Sequence, residues 1–242
     1  DNGTNQNSAT YVAWNWKANG SGSSNTDGSI TSTVSANVDA GFSIVSYNGG
    51  SAGTVGHGLS KTPELVIQRS RNIAEYWWTG TTVIDGSMDF FRLNDTHAKS
   101  DSGYSVPTST VFSNVVYTGS TGNIAYCFHS VDGYSKVGTY TGNSNADGTF
   151  VYTGFKPAFV MIKNTSGWDW FMHDSAREPN NENDVYLMAN SSAAESSTDY
   201  SHMDFVSNGF KLRSSSIVGN GSSYNIIYIA FAETPFKYSN AR

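Results

Sequence analysis

The chain has 242 residues, of which 38% are hydrophobic, 14% aromatic and only 14% charged, so its polar surface consists mainly of Ser, Thr, Asn and Gly. These residues favour turns and strands, and the shortage of helix-forming surface residues excludes a helical bundle. The net charge of −6 without a run of Lys or Arg argues against a nucleic-acid partner. No stretch approaches the roughly 20 apolar residues that cross a bilayer, so membrane insertion is not expected.

The first element in chain order is the segment Tyr-Val-Ala-Trp-Asn-Trp at residues 11–16, which alternates as a strand does. It is either the last strand of a preceding unit or a strand that completes the first sheet, and the sequence leaves both open. Residues 18–40 are rich in Gly, Ser, Asn and Thr and are expected to form a linker. Residues 1–40 are therefore set apart from the remainder of the chain.

An internal repeat begins at residue 41. Gly41–Gly49 is echoed by Gly133–Gly142, which has one extra residue that a β-bulge would accommodate. Pro63–Arg69 is echoed by Pro157–Lys163, and each is a proline followed by an apolar strand that ends in a cation. A matched order of motifs arises less easily by chance than a single motif, so the repeat predicts two similar units.

The match continues to the end of each unit. Three further pairs follow in the same order: Leu93–Ala98 with Ala189–Ala194, Gly103–Ser109 with Gly209–Ser215, and Ile124–Phe128 with Tyr228–Ala232. Turn signals recur about every 8 to 12 residues, the spacing of a sandwich or jelly roll. The predicted fold is all-β, a tandem pair of jelly-roll-like β-sandwich units at residues 41–132 and 133–242.

Signals for catalysis, metal binding or a cofactor are weak. Cys127 is the single cysteine and none of the five histidines is spaced like a metal pair, so we expect no metal and no cofactor. Two carboxylate pairs, Asp85 with Asp89 and Asp169 with Asp174, have the composition of a glycosidase pair but no compelling context. A Gly-x-Ser-x-Gly nucleophile motif does not occur. We therefore expect no enzyme activity and assign no catalytic residue.

The two units differ most after the Pro-led strand, where variable loops on a fixed scaffold commonly carry recognition. Flat aromatic faces beside polar groups are suited to holding sugars. The candidate ligand-binding residues are Tyr76, Trp77, Trp78, Trp168, Asp169, Trp170, His173, Asp174 and Arg177. Residues 168–172 also match a buried strand whose tryptophans fill the core, and that interpretation is favoured for this segment.

Four motifs, at residues 11–17, 41–49, 159–163 and 229–236, form a distinctive ordered set. With them the chain resembles an uncharacterised β-rich repeat family of marine and cyanobacterial phage tail and tail-fibre proteins and related environmental virus sequences. The resemblance implies an extracellular virion location and a homo-oligomer, with a trimer favoured, or assembly with other virion proteins. It brings no catalytic residues.

The function expected on these grounds is a virion structural module of a tail fibre or tail appendage that contributes to host attachment through a surface glycan. One alternative is a carbohydrate-binding module of a secreted polysaccharide-active protein. A lesser alternative is a hydrolase or lyase that depolymerises surface glycan. The sequence by itself leaves the ligand and the host open.

Overall fold

The computed structural model describes residues 6–101, 103–116 and 122–234, and their regular secondary structure is almost entirely antiparallel strand. The all-β prediction is confirmed. The strands of the first half are β1 Ser23–Asn25, β2 Ser32–Asn37, β3 Phe42–Tyr47, β4 Thr54–Gly56, β5 Leu65–Ser70, β6 Trp78–Thr81, β7 Asp89–Arg92, β8 Ser100–Asp101, β9 Val111–Ser113 and β10 Asn123–Phe128.

In the described part of the second half, one short helix lies among the strands. Its elements are β11 Ser135–Thr141, β12 Phe150–Tyr152, β13 Pro157–Asn164, β14 Trp170–Asp174, β15 Leu187–Met188, β16 Met203–Val206, β17 Gly209–Leu212, α1 Ile217–Asn220 and β18 Asn225–Ala232. In the described part of the chain no helix has the length and apolarity to cross a membrane. Pro235 and Phe236, the end of the fourth motif, lie outside the described residues.

The described residues form four sheets, two large and two small. The large sheets have the strand orders β1-β2-β3-β10-β5-β6-β7-β8 and β11-β18-β13-β14-β15, and the small ones are β12-β17-β16 and β4-β9. In each large sheet the first strand of the predicted unit, β3 or β11, pairs with its last strand, β10 or β18. That last strand also pairs with the Pro-led strand, β5 or β13.

A central core lies between the two large sheets. Leu65, Ile67 and Phe128 of the first sheet pack in one cluster with Met161 and Ile229 of the second. Since successive strand side chains point to opposite faces, the intervening residues face outward. The two large sheets therefore pack against each other through these inward-facing residues.

The outward faces carry two further cores. Val66 and Cys127 pack with Phe112 of the β4–β9 ladder, and Val160 and Phe210 belong to the cluster beneath the β12-β17-β16 sheet. Each large sheet is thus buried on both faces, which explains why its inner strands are continuously apolar. Cys127 is fully buried, and burial raises the pKa of its thiol to about 12.

The N-terminal segment departs from expectation. Residues 11–16 form no strand, although every second side chain from Val12 to Ala18 is partly buried. Trp14 and Trp16 pack on Phe159 of the central core, with ring centroids 5.5 and 6.0 Å apart. The alternation therefore arises from burial of one face of an extended chain, which requires no ladder of backbone hydrogen bonds.

The expected linker at residues 18–40 is also wrong as a structural assignment, because it contains β1 and β2. β2 pairs with β3 along its whole length, from Ser32 opposite Tyr47 to Asn37 opposite Phe42. Val34 is buried in the outer core of the first half and Ala36 packs against it. The polar composition concealed a strand whose alternate residues are small and apolar.

The gap-free match of Gly103–Ser109 with Gly209–Ser215 does not extend to secondary structure. Gly209–Leu212 forms β17, whose Phe210 and Leu212 are fully buried, whereas residues 103–107 form no strand and leave Val106 exposed. The ladder with β4 is made instead by β9. The two small sheets consequently differ in strand number.

Candidate functional site

The tryptophan-rich segments occupy matching places, at the start of the strand that comes after the Pro-led strand. The backbone N–H of Trp77 donates to Asn94 Oδ1 at 2.9 Å, and that of Trp170 donates to Asn190 Oδ1 at 2.9 Å. An asparagine side chain that satisfies a backbone donor fixes the start of each strand. The neighbours of Trp77 and Trp170 in sequence are thereby held at one end of each sheet.

A cation lies over each of these two rings. The Arg69 guanidinium carbon is 4.8 Å from the Trp77 ring centroid, and the Lys163 Nζ is 5.6 Å from that of Trp170. Both distances are within the range of a cation–π contact. Trp77 is half-buried and stacks on Tyr126, whereas Trp170 is only 2% exposed and lies in the central core.

Tyr76 and Trp78 form an open aromatic surface on the first half. Their ring centroids are 5.8 Å apart, edge to face, and the Arg92 guanidinium lies 3.8 Å from the Tyr76 centroid and 5.3 Å from that of Trp78. Arg92 Nη1 also pairs with Asp95 Oδ2 at 3.3 Å. Tyr76 is 39% exposed. Apolar ring area and a planar cation are thus presented side by side.

Trp168 is the exposed aromatic residue of the second segment, with 46% of its surface accessible. Its φ of 69° lies in the left-handed region, which costs a bulky residue about 1–3 kcal/mol and persists only where the surroundings enforce it. The buried Lys163 side chain donates to the Trp168 carbonyl. The strain is therefore held by a defined contact.

The loop before Trp168 is tied to the first half of the chain. The Lys99 N–H donates to the Thr165 carbonyl at 2.8 Å, and a Cβ on Gly167 would lie 3.2 Å from the Thr96 carbonyl. Trp170 Nε1 donates to the Arg92 carbonyl at 2.9 Å. The residues after β7 therefore connect the Trp168 loop to Arg92, which lies over Tyr76 and Trp78.

We call Tyr76, Trp78, Arg92 and Trp168 the aromatic rim. Its acidic neighbours have partners: Asp95 is paired with Arg92, and Asp169 Oδ1 accepts from Asn190 Nδ2 at 2.6 Å. The rim contains three of the nine candidate residues, and Asp169 lies beside Trp168. Arg92 was missed because nothing in its sequence context marks it; the pairing of β6 with β7 places it opposite Trp78.

The candidate His173 belongs to a separate buried network. His173 is fully buried, its Nδ1 is 3.1 Å from Asn183 Oδ1, and its Nε2 is 2.9 Å from Ser201 Oγ. Burial lowers the pKa of His173 to about 3, so its imidazole is neutral at physiological pH. Ser201 and Asn183 are also fully buried. The arrangement has the connectivity of a nucleophile, a base and an orienting group, but the nucleophile has no access to solvent.

Asp174 and Arg177 form a partly buried ion pair. Arg177 Nε donates to Asp174 Oδ2 at 2.6 Å, and a second Arg177 nitrogen donates to the Met172 carbonyl at 3.0 Å. Asp174 is 3% exposed. The pair ties the end of β14 to the turn after it, so the structure gives it a local stabilising role.

Asp85 and Asp89, the first predicted carboxylate pair, both lie close to the ammonium group of Lys99. Lys99 Nζ lies 2.9 Å from Asp89 Oδ1, 2.6 Å from Asp101 Oδ1 and 3.6 Å from Asp85 Oδ2. Burial raises the pKa of Asp89, and the Lys99 ammonium opposes that shift. Across residues 6–101, 103–116 and 122–234, no three His, Cys, Asp or Glu side chains are grouped to hold a metal ion.

Comparison with known proteins gives a family without an assigned role. A family model described as "Domain of unknown function (DUF7483)" matches residues 1–235. No curated protein and no solved structure matches the chain.

Proposed function

The chain belongs to the DUF7483 family, since that model covers residues 1–235, and we propose that it is a non-enzymatic module of a virion tail fibre or tail appendage that attaches to host-surface glycan. The virion location rests on the resemblance of the four ordered motifs to phage tail proteins. The attachment role rests on the aromatic rim.

The observation that carries the attachment role is that Tyr76 is exposed beside the Arg92 guanidinium, while Trp168 is exposed on a loop held by hydrogen bonds. Pyranose rings present C–H faces that stack on aromatic side chains, and their hydroxyl groups accept from guanidinium donors. Tyr76 is 39% and Trp168 46% exposed, although each is fixed by its neighbours. A preordered surface loses little conformational entropy when it binds.

We further propose that the two halves are copies of one β-sandwich unit. In its support, the main strand order is the same in both large sheets. Tyr47 and Tyr140 occupy matching buried positions at the end of β3 and β11, where each hydroxyl is hydrogen-bonded. The matched Trp77–Asn94 and Trp170–Asn190 contacts give independent support.

Duplication followed by divergence would explain why the two halves carry different side chains at matching positions. Counting from Trp77 and Trp170, the position of Tyr76 is Asp169 in the second half, and that of Trp78 is Phe171. The aromatic stack around Arg92 therefore has no counterpart of the same chemistry. A homo-oligomer, with a trimer favoured, belongs to the same proposal because tail appendages commonly present several copies of a binding surface.

A glycan array followed by titration of the best ligand tests the attachment role. Trp168→Ala and Tyr76→Ala should each weaken binding by about tenfold or more, since truncation of an aromatic anchor commonly costs more than ~1.4 kcal/mol. Tyr152→Ala is the matched control, because Tyr152 is 66% exposed on β12, outside the rim. Unchanged affinity in both rim variants, or no bound glycan on the array, would contradict the proposal.

The same rim fits a carbohydrate-binding module of a secreted polysaccharide-active protein. That alternative places the chain next to a catalytic domain instead of in a particle. Immunogold labelling of purified particles that carry the parent protein separates the two, because only a virion module labels the tail.

A further inference from the structure

We infer that Lys163 is a positioning residue for the aromatic rim, holding the Trp168 loop in the conformation that presents the indole to solvent. This inference rests on the proposed function where it concerns glycan binding. Its structural part concerns the molecule without ligand and is tested separately.

The loop that carries Trp168 is fixed at its base. Asn164 Nδ2 donates to the carbonyls of Ile217 and Val218 in α1, and Asn164 Oδ1 accepts from the Ser166 N–H at 2.9 Å. The Thr165 N–H donates to the Asn225 carbonyl at 3.0 Å. The main chain before Trp168 is thereby anchored to the rest of the second half.

The backbone of Trp168 is strained, and its side chain is exposed. Residues 167 and 168 both have positive φ, of 126° and 69°. Gly167 tolerates this conformation because it lacks a Cβ, whereas Trp168 does not. Trp168 is also 46% exposed, so its burial is incomplete. Relief of the strain would therefore move the Trp168 ring away from its present place.

Lys163 opposes this movement of the Trp168 ring. The Lys163 side chain is fully buried, and its ammonium donates to the Trp168 carbonyl. A buried ammonium without a hydrogen-bond acceptor is strongly unfavourable, so the carbonyl is held in place. Trp170 lies beside the same ammonium, at 5.6 Å from ring centroid to Nζ.

Two carboxylates affect the pKa of the Lys163 amine. Burial lowers the pKa of Lys163 to about 8, and Asp169 and Asp95 oppose the shift. Lys163 is therefore mostly charged at pH 7 and loses its proton as the pH rises towards 9. A neutral amine is a weaker donor, so the hold on Trp168 should weaken over this range.

The test uses the full chain labelled with 5-fluorotryptophan, and the Trp168 resonance is assigned by comparison with Trp168→Phe. In the wild type this fluorine resonance should titrate between pH 7 and pH 9. In Lys163→Met it should be shifted at pH 7 and should not titrate. Lys156→Met is the control, because Lys156 is exposed and paired with Glu233.

Glycan affinity is measured on the same proteins. Lys163→Met should lower affinity about as far as Trp168→Ala does, roughly tenfold, with an unchanged far-UV circular dichroism spectrum. Its unfolding temperature should not fall, because the substitution removes a buried charge. A protein with a merely structural lysine would lose stability instead. Lys163→Arg retains a cationic donor and should keep the Trp168 resonance closer to its wild-type position than Lys163→Met does.

The outcomes separate the two proposals. An unshifted Trp168 resonance in Lys163→Met overturns the positioning role, whatever the glycan result. A shifted resonance with wild-type glycan affinity overturns its importance for binding. If Trp168→Ala and Tyr76→Ala both bind as the wild type does, the proposed function fails, while the fluorine spectra still decide the positioning role.

Discussion

Individual buried polar side chains in this protein are hydrogen-bonded to side chains from other segments of the chain. His173 is the clearest case, because Asn183 and Ser201 reach it from segments 10 and 28 residues further along the chain. Since its pKa is about 3 in the folded protein against about 6.5 in an unfolded chain, folding favours the neutral ring. Its contribution to stability is complete above pH 6.5 and is lost as the pH falls towards 3.

Replacement of His173 should therefore change the pH dependence of stability. In His173→Gln the free energy of unfolding should be lower at pH 7 and should fall less steeply between pH 6.5 and pH 4 than in the wild type. Urea unfolding at a series of pH values measures this slope. His97→Gln, at an exposed loop position, serves as the control. Parallel slopes in wild type and His173→Gln would contradict the assignment of a neutral buried histidine.

At the level of elements, alternation of apolar side chains has two different causes in the first 40 residues. In β2 it accompanies a ladder with β3, and in residues 11–18 it accompanies side-chain insertion without a ladder. Trp16 contacts Phe128, Phe159 and Phe231 at centroid distances of 6.3, 6.0 and 5.4 Å. These three phenylalanines come from both large sheets, so the segment closes one edge of the central core.

Trp16→Ala should accordingly lower the free energy of unfolding by about 2 kcal/mol, below the ~3–5 kcal/mol of a fully buried tryptophan because Trp16 is only partly buried. Tyr11→Ala, at a position that is 54% exposed, should change it by less than ~0.5 kcal/mol. Chemical denaturation measures both. Equal effects of the two substitutions would show that the N-terminal segment does not stabilise the core.

On the scale of the whole molecule, the central cluster makes the halves interdependent. Leu65, Ile67 and Phe128 would be exposed without the second half, as Met161 and Ile229 would be without the first. A contiguous apolar face of this kind on an isolated domain promotes aggregation or association.

Fragments 1–132 and 133–242 expressed separately should therefore be insoluble or poorly folded, and co-expression should restore a soluble complex. The full chain should unfold in one cooperative transition. Circular dichroism and calorimetry of the fragments and the full chain test this. Two soluble monomeric fragments that each unfold cooperatively would contradict the interdependence of the halves.

The amino-acid sequence by itself determined the strand-rich class and the places of the main strands. Aromatic and β-branched residues in short runs, with Gly and Pro between them, leave little choice of local structure. It also identified Asn94 and Asn190 as matching positions, because the same local contact requires the same side chain. The strand positions depend on neighbours within a few residues, whereas the asparagine match shows in the sequence because its motif recurs.

Only the tertiary structure decided which residues in the loops and at the strand ends face solvent. Trp168 and Trp170 alternate in sequence as two residues on one face would, yet one is exposed at positive φ and the other is core. The pairing of β6 with β7 places Arg92 beside Tyr76 and Trp78. The loops that follow β14 place Ser201 within hydrogen-bond distance of His173. These outcomes depend on which surfaces meet across the large sheets, and a linear pattern does not encode that choice because burial is a property of the assembled layers.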